Sequence, residues 1–595
     1  MNTKLPPEKT SEHIKHFIKD NSACHAKPRK EKSKKTKLLL ACVFKPYGVD
    51  DEYGDALCSM ELLNNQVTRE QGIHSPRSNN LSFALYMLAE NINVETTVVD
   101  FPSWSDFARE VDKGEYTHIG ITFISQNILR AKRMVTYIRE HSPDTKIILG
   151  GHGTAIPELD ELIDYDEVCR GEGVAWLREY FGEDIHKPII HPAVQTSVKS
   201  FVYGAPILEK AGTIFPGVGC KNGCRFCATS HKFNKTYTAF LKNGKDIYNA
   251  CKKQEKELKV TDFGVMDENF CQNDTTARQL LMEMEKNKKA YTFSIFSSAE
   301  AITRLGVDFL VRMGVTLVWI GIESKANIFE KTQGIDLNAL ITTLQDNGIT
   351  VLASTILFLE HHDKRTIHED IDWAIGLKSD LLQFMQFGPI PGTPLFNDYA
   401  AQEKLLHDEP WQSRHGQDKI WFKHTAFNQS ESKEYLINAF VKKYETHGPS
   451  ILNMAHTAVK GYIAMKKKIQ DNAIDMMQWD PHTLKYRKNF NYESDEFMVL
   501  RLKAMEKNAL KFRPLLHTMQ KYAPNEEARQ KCKLVIEIYN KTFGKQGVKT
   551  KILGFVVKTT AILENYRFKK NGVIMRQPTF LRKKYKDRVK QKANQ

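Results

Sequence analysis

Cys220, Cys224 and Cys227 stand in Phe215-Pro-Gly-Val-Gly-Cys-Lys-Asn-Gly-Cys-Arg-Phe-Cys-Ala-Thr229, a Cys-x-x-x-Cys-x-x-Cys spacing on a glycine-rich loop. Three thiolates this close can hold three irons of a four-iron four-sulfur cluster, and no fourth cysteine stands nearby to complete it. One iron is then open to chelate a small molecule and pass it an electron. Structural zinc is the first rival, but it takes four ligands, usually from two separated pairs, and no second Cys-x-x-Cys or His-x-x-x-His follows. Disulfides are the second. The other cysteines (24, 42, 58, 169, 251, 271 and 532) are scattered, and the chain opens Met-Asn-Thr-Lys-Leu-Pro-Pro without an apolar signal segment, so a reducing cytoplasm is expected.

The cysteine segment resembles the cluster loop of the radical SAM superfamily. The resemblance implies that a 4Fe-4S cluster binds S-adenosyl-L-methionine (SAM) at its open iron, with an electron donor such as flavodoxin or ferredoxin. It also implies cleavage of SAM to methionine and a 5′-deoxyadenosyl radical that takes hydrogen from an unactivated carbon. Phe226 falls where the family carries an aromatic or bulky apolar residue that packs on the adenine.

Further segments resemble the subgroup with an N-terminal cobalamin-binding domain. Asp267-Glu268-Asn269-Phe270 is similar to its motif near the SAM amino group, where carboxylates accept hydrogen bonds from an ammonium. Gly321-Ile322-Glu323-Ser324 matches its Gly-Ile-Glu-Ser, and Gly388-Pro-Ile-Pro-Gly392-Thr393-Pro394 resembles its Pro-x-Pro-Gly-Thr-Pro. Taken alone, Glu323 reads equally as a helix-starting carboxylate and Asp267 as an N-cap. Ahead of them, Ser125 and the pair Gly150-Gly151 resemble the slot for the cobalamin nucleotide tail, where a missing side chain lets a bulky ligand lie against backbone. The Asp-x-His-x-x-Gly loop that supplies a cobalt-ligating histidine elsewhere is absent after the first strand, which continues Phe44-Lys-Pro-Tyr-Gly-Val-Asp-Asp51. Cobalt without a histidine ligand and a sheet that binds no cobalamin both stay open.

Positioning these residues requires alternating strands and helices. Short apolar runs begin at Lys37, Glu95, His118 and Lys146, with helical periodicity over 81–92 and 128–141, which predicts a doubly wound parallel sheet with ligands at the strands' carboxyl ends. Past a polar stretch, strand patterns return near residues 211, 260, 292, 317, 350 and 381 with helices between, the pace of a partial βα barrel. Beyond residue 405 helical periodicity dominates, over 436–442, 451–468, 496–511 and 526–539. Trp411, Trp421 and His424 open that region and read more readily as core and hydrogen-bonded residues than as a cover for the barrel.

The expected class is therefore α/β: a basic leader at 1–37, a cobalamin-binding-like doubly wound sheet at 38–185, and a linker at 186–206. A radical SAM partial barrel at 207–405 and a mostly helical C-terminal region with a basic tail at 406–595 complete it. A length of 595 residues suits several domains. With 41% hydrophobic and 26% charged residues the chain is of folded type, and its mean hydropathy of −0.45, without an apolar run of about 18 residues, argues against a membrane span. The net charge of +15 gathers at both ends. The C-terminal cations alternate with Phe, Leu, Tyr and Val, as in an interfacial anchor, although a solubilising tail explains them as well.

Cobalamin-dependent methylation of an unactivated carbon is the leading reaction. A radical rearrangement or ring closure, with or without cobalamin, is the second, and the substrate is a small or lipid-like molecule. A different class, nucleic-acid binding by basic tails around an iron-sulfur or zinc module, is allowed by charge but leaves the strand-end motifs without a role. No nucleic-acid partner is expected, and the location is cytoplasmic, with contact at the membrane surface through the basic C-terminus.

Overall fold

The computed structural model describes residues 35–44, 60, 64–207, 210–327, 332, 334–470, 476–480, 485–489, 496–571 and 581–585. Most of the leader, Cys24, Cys58, the stretch after Phe44 and the chain past residue 585 lie outside them.

The first sheet is built from β1 (Lys37–Cys42), β2 (Glu95–Asp100), β3 (His118–Thr122), β4 (Lys146–Gly150) and β5 (Glu167–Val168). They run parallel in the order β2-β1-β3-β4-β5. Apolar runs rather than alternation mark these strands because both faces are covered. Leu39 and Ala41 of β1 join Phe107 and Met134 on one side, while Leu38 and Leu40 join Leu85 and Trp176 on the other. This is the doubly wound arrangement, with its helices at Phe83–Asn91, Trp104–Asp112, Ile128–His141 and Gly173–Tyr180.

The second sheet holds β6 (Gly212–Ile214), β7 (Asp262–Val265), β8 (Thr292–Phe296), β9 (Val315–Glu323), β10 (Thr350–Leu357) and β11 (Leu381–Gln386). These six pair in sequence order and all parallel. One face packs on the surrounding helices through Phe263, Phe293, Val318 and Val351. By the two-residue period of a strand, Gly264, Ser294, Trp319 and Leu352 face the other way.

Long helices follow at Gln429–His447, Ser450–Gln470, Glu496–Leu510, Glu526–Phe543 and Val548–Asn571. They are locked to the barrel by Arg501, a fully buried guanidinium that donates to the Tyr291, Arg312 and Met313 carbonyls at 2.7, 3.1 and 3.1 Å.

Two segments differ from the sequence reading. The stretch expected as a linker contains a strand, Ser197–Val202, that pairs antiparallel with Arg77–Asn80 and with Ala205–Pro206. The stretch expected as a basic tail contains β12 (Leu581–Tyr585), which pairs antiparallel with β2 and forms the outer edge of the first sheet. Charged side chains are a common property of edge strands, since they discourage pairing with other chains.

Candidate active site between the two sheets

The cysteine loop leaves β6 and is held by its own backbone. Ser230 is buried, accepts from the Gly223 amide at 3.0 Å and donates to the Cys220 carbonyl at 2.7 Å. Gly219 has φ of +91°, and a side chain there would run into the Thr236 carbonyl, so glycine is required for the loop to close. Cys227 caps the short helix Ala228–Lys232. Burial, then Glu268 and Cys224, raise its thiol pKa, while the Ser230 and Thr229 amides oppose the rise.

Among the described residues, His361, His362 and Asp370 are the trio of metal-type ligands whose atoms gather within 4.8 Å. The three loop thiols are half-buried, and three thiolates on one short loop suit a cluster with each on a different iron. Two members of the trio, His362 and Asp370, are engaged in structural bonds. His362 Nδ1 accepts from the Leu359 amide at 3.1 Å, so Nε2 carries the proton and donates to Asp370 at 3.0 Å, with no lone pair left for a metal.

The strand ends surround this loop. Asp267 and Glu268 follow β7, and burial raises the pKa of both carboxyls; the Tyr237 hydroxyl, donating to Asp267 Oδ2 at 2.6 Å, pulls Asp267 back. Asn269 serves the fold, since its side-chain oxygen accepts from Ser297 Oγ at 2.9 Å and from the Ser298 amide at 3.0 Å, tying the β7 turn to the end of β8. Glu323 closes β9 with φ of +57°, a costly conformation for a side-chain-bearing residue, beside a register shift in the pairing with β10. Its carbonyl accepts from Thr355 Oγ1 at 2.6 Å. The hydroxyl of Ser324 is buried with no hydrogen-bond partner among the described residues, so a polar ligand atom could pair with it.

Phe226 meets Phe387 edge-on at 6.5 Å. The loop after β11 reaches the cysteine loop directly, for the Leu395 amide donates to the Arg225 carbonyl at 3.2 Å and Arg225 pairs with Asp398. Trp421 lies over Gly388 and donates to the Pro389 carbonyl at 3.0 Å, so it braces that loop. His424 is spent on backbone: Nε2 donates to the Leu359 carbonyl and Nδ1 accepts from Ala426, both at 3.1 Å.

A cavity of about 420 Å3 runs from the carboxyl ends of the first sheet to the cysteine loop, where Val218, Lys232 and Phe233 line it. Gly150 and Gly151 both line it, but for different reasons. A side chain at Gly150 would meet open space, whereas at Gly151, with φ of +91°, it would collide with the Phe123 carbonyl. Ser125 is buried in the turn after β3 and is not part of the lining; its neighbour Asn127 is, and Asn127 Oδ1 is buried with no partner among the described residues. Gly171, with open space beside it, and His152 complete the polar wall. His152 is exposed to the cavity, and the surrounding protein and then the Lys232 charge lower its pKa. An apolar slot with open glycines and an orphaned amide oxygen fits a large ligand with a polar tail.

A second cavity, of about 340 Å3, lies along the inner face of the second sheet beside Ser294, Leu317 and Leu352. Phe296 and Trp319 stack there, ring centres 5.0 Å apart.

The residues that sequence reasoning missed are Ser230 and Lys232. The signal for Ser230 was present, a small hydroxyl three residues past the last cysteine; Lys232 depends on contact with another sheet and had none.

No family model matches the chain. It is 22% identical over 381 residues to an uncharacterized methyltransferase of Pyrococcus horikoshii, covering 58% of this chain and 82% of that protein. It is 23% identical over 338 residues to an anaerobic magnesium-protoporphyrin IX monomethyl ester cyclase of Rubrivivax gelatinosus, covering 49% and 60%. Among solved structures it overlays on TsrM of Kitasatospora setae, a radical S-adenosylmethionine methyltransferase with cobalamin and a 4Fe-4S cluster bound. That overlay has a TM-score of 0.49 at 12% identity, covering 80% of this chain and all of that one.

Proposed function

We propose that this chain is a radical SAM enzyme with a cobalamin-binding N-terminal sheet and that it methylates an unactivated carbon. What supports the reading is the cysteine loop itself, with Glu268 near enough to raise the Cys227 pKa and with Val218, Lys232 and Phe233 beside it lining the cavity at the ends of the first sheet. Bound there, a 4Fe-4S cluster and SAM supply a 5′-deoxyadenosyl radical, and cobalamin supplies the methyl group to be transferred.

The chain's residues hold and orient. Cys220, Cys224 and Cys227 bind three irons. Asp267 and Glu268 accept from the SAM ammonium, Phe226 packs on its adenine, and Glu323 with Ser324 fixes the remaining polar edge of SAM. Gly150, Gly171 and Asn127 receive the cobalamin tail, with Gly151 shaping the turn beneath it and Ser125 one turn behind. The apolar walls of the first cavity exclude water from a reactive centre. The aromatic chamber beside Trp319 takes a small or lipid-like apolar substrate, and a flavodoxin- or ferredoxin-type protein provides the electron in the cytoplasm.

A second reading, radical ring closure or rearrangement, is favoured by the similarity to the cyclase. Anaerobic reconstitution with iron, sulfide and cobalamin, followed by assay for 5′-deoxyadenosine and bound cobalamin, separates the readings. Radical formation with no bound cobalamin selects the second, and absence of any SAM cleavage sinks both.

A further inference from the structure

We infer that the helix Val548–Asn571 is a docking surface for an anionic lipid membrane, independent of the chemistry at the cysteine loop. The helix touches the protein along a narrow stripe, Val557, Ala561 and Glu564 being its buried residues. Its other side carries Val548, Phe555, Tyr566, Ile552, Leu563 and Ile562, which are 75, 71, 67, 59, 57 and 48% exposed. At 100° per residue these six fall within an arc of about 100°, centred roughly opposite the buried stripe. The exposed side is therefore a second, predominantly apolar face, broken by the exposed Thr559.

Its charge selects the partner. Lys551, Lys558 and Lys569 lie along one flank of the arc, and Lys549 and Arg567 along the other, while Lys570 falls within the arc at the helix C-terminus. Glu564 is the sole acidic residue of the helix, and it is buried against Arg77. An apolar strip between two rows of cations is the pattern of a helix that lies in the membrane interface, its rings among the acyl chains and its ammonium groups among anionic headgroups. A second copy of the same face would bring like-charged rows together, and a nucleic acid would satisfy the cations while leaving Phe555 and Tyr566 in water. Among the described residues no helix is long and apolar enough to cross a membrane, so this surface rests on the bilayer. It places the contact earlier than the extreme C-terminal cations, some of which belong to the edge strand β12.

The test is co-sedimentation of the full chain with vesicles of phosphatidylcholine alone and of phosphatidylcholine with about a third phosphatidylglycerol. Binding to the anionic vesicles is expected to exceed binding to the neutral ones by about tenfold or more and to fall as salt is raised. Phe555→Glu with Leu563→Glu abolishes it while the far-UV spectrum and melting temperature are unchanged, and Lys551→Glu with Lys558→Glu removes the preference for the anionic lipid. The inference is overturned by equal binding to both vesicle types, by an apolar-face variant that binds like the parent, or by a parent that is a dimer in solution and becomes a monomer in that variant.

Discussion

Lys232 donates its ammonium to the Gly151 carbonyl at 2.8 Å, so the helix that follows the cysteine loop is fastened to the glycine turn of the first sheet. Lys232 is half-buried, and burial lowers its pKa. A side-chain hydrogen bond of this kind contributes about 1 kcal/mol or somewhat more and ties the cysteine loop to the glycine turn.

Lys232→Met is therefore expected to uncouple the two halves of the reaction. 5′-Deoxyadenosine should still form, while methylated product per 5′-deoxyadenosine falls by roughly tenfold. Equal loss of both products would mean that Lys232 serves the cysteine loop alone. The same substitution removes the cation that, after the surrounding protein, holds His152 down, so the His152 ring should titrate at higher pH in the variant by NMR.

Ser230 offers a test of the loop without touching a thiol. Ser230→Ala removes two hydrogen bonds, each of about 1 kcal/mol, one from the Gly223 amide and one to the Cys220 carbonyl. Iron bound after reconstitution should drop and its loss to a chelator should quicken, whereas Cys220→Ala, Cys224→Ala or Cys227→Ala should end SAM cleavage. Full cleavage in Cys224→Ala would remove the basis of the assignment.

What could be read from sequence divides along the range of the interactions. Glu95–Asp100 and Ile128–His141 were legible to the residue because a β-branched run and an amphipathic period are local properties. The edge strand Leu581–Tyr585 was not, since Leu-Arg-Lys-Lys-Tyr becomes a strand through pairing with residues some hundreds of positions earlier. Val548–Asn571 hid its nature differently: with apolar residues on two opposite faces, no single helical stripe stands out. In the site, the glycine pair was visible, but that Gly151 answers to Phe123 and Gly150 to open space is a tertiary fact.

His74 should make stability depend on pH. Its Nε2 must donate to the Tyr522 carbonyl at 2.7 Å, so Nδ1 accepts from the Tyr203 hydroxyl at 2.8 Å and the buried ring is neutral. Burial lowers its pKa from 6.5 to about 4. The unfolded chain then binds the proton first as pH falls, so this contribution is intact above about pH 6.5 and is lost towards pH 4, at most roughly 3 kcal/mol. His74→Gln should flatten the fall of melting temperature between these limits; parallel curves for parent and variant would show that other groups govern it.

The two glycines of the first sheet separate a ligand effect from a folding effect. Gly151 sits at φ of +91° against the Phe123 carbonyl, so any larger residue there strains the turn, and its loss of cobalamin would carry no information about contact. Gly150 ends a strand, has no neighbour within 4 Å of where a side chain would start, and lines the cavity. Gly150→Leu should therefore fold with an unchanged melting temperature and place its side chain where the cobalamin tail is proposed to lie. Bound cobalamin should fall by about tenfold or more while 5′-deoxyadenosine formation persists, because the cysteine loop is untouched. If Gly150→Leu retains cobalamin like the parent, the tail does not lie in this cavity; if the parent itself purifies without cobalamin when supplied with it and turns over regardless, radical ring closure or rearrangement becomes the better account of the chain.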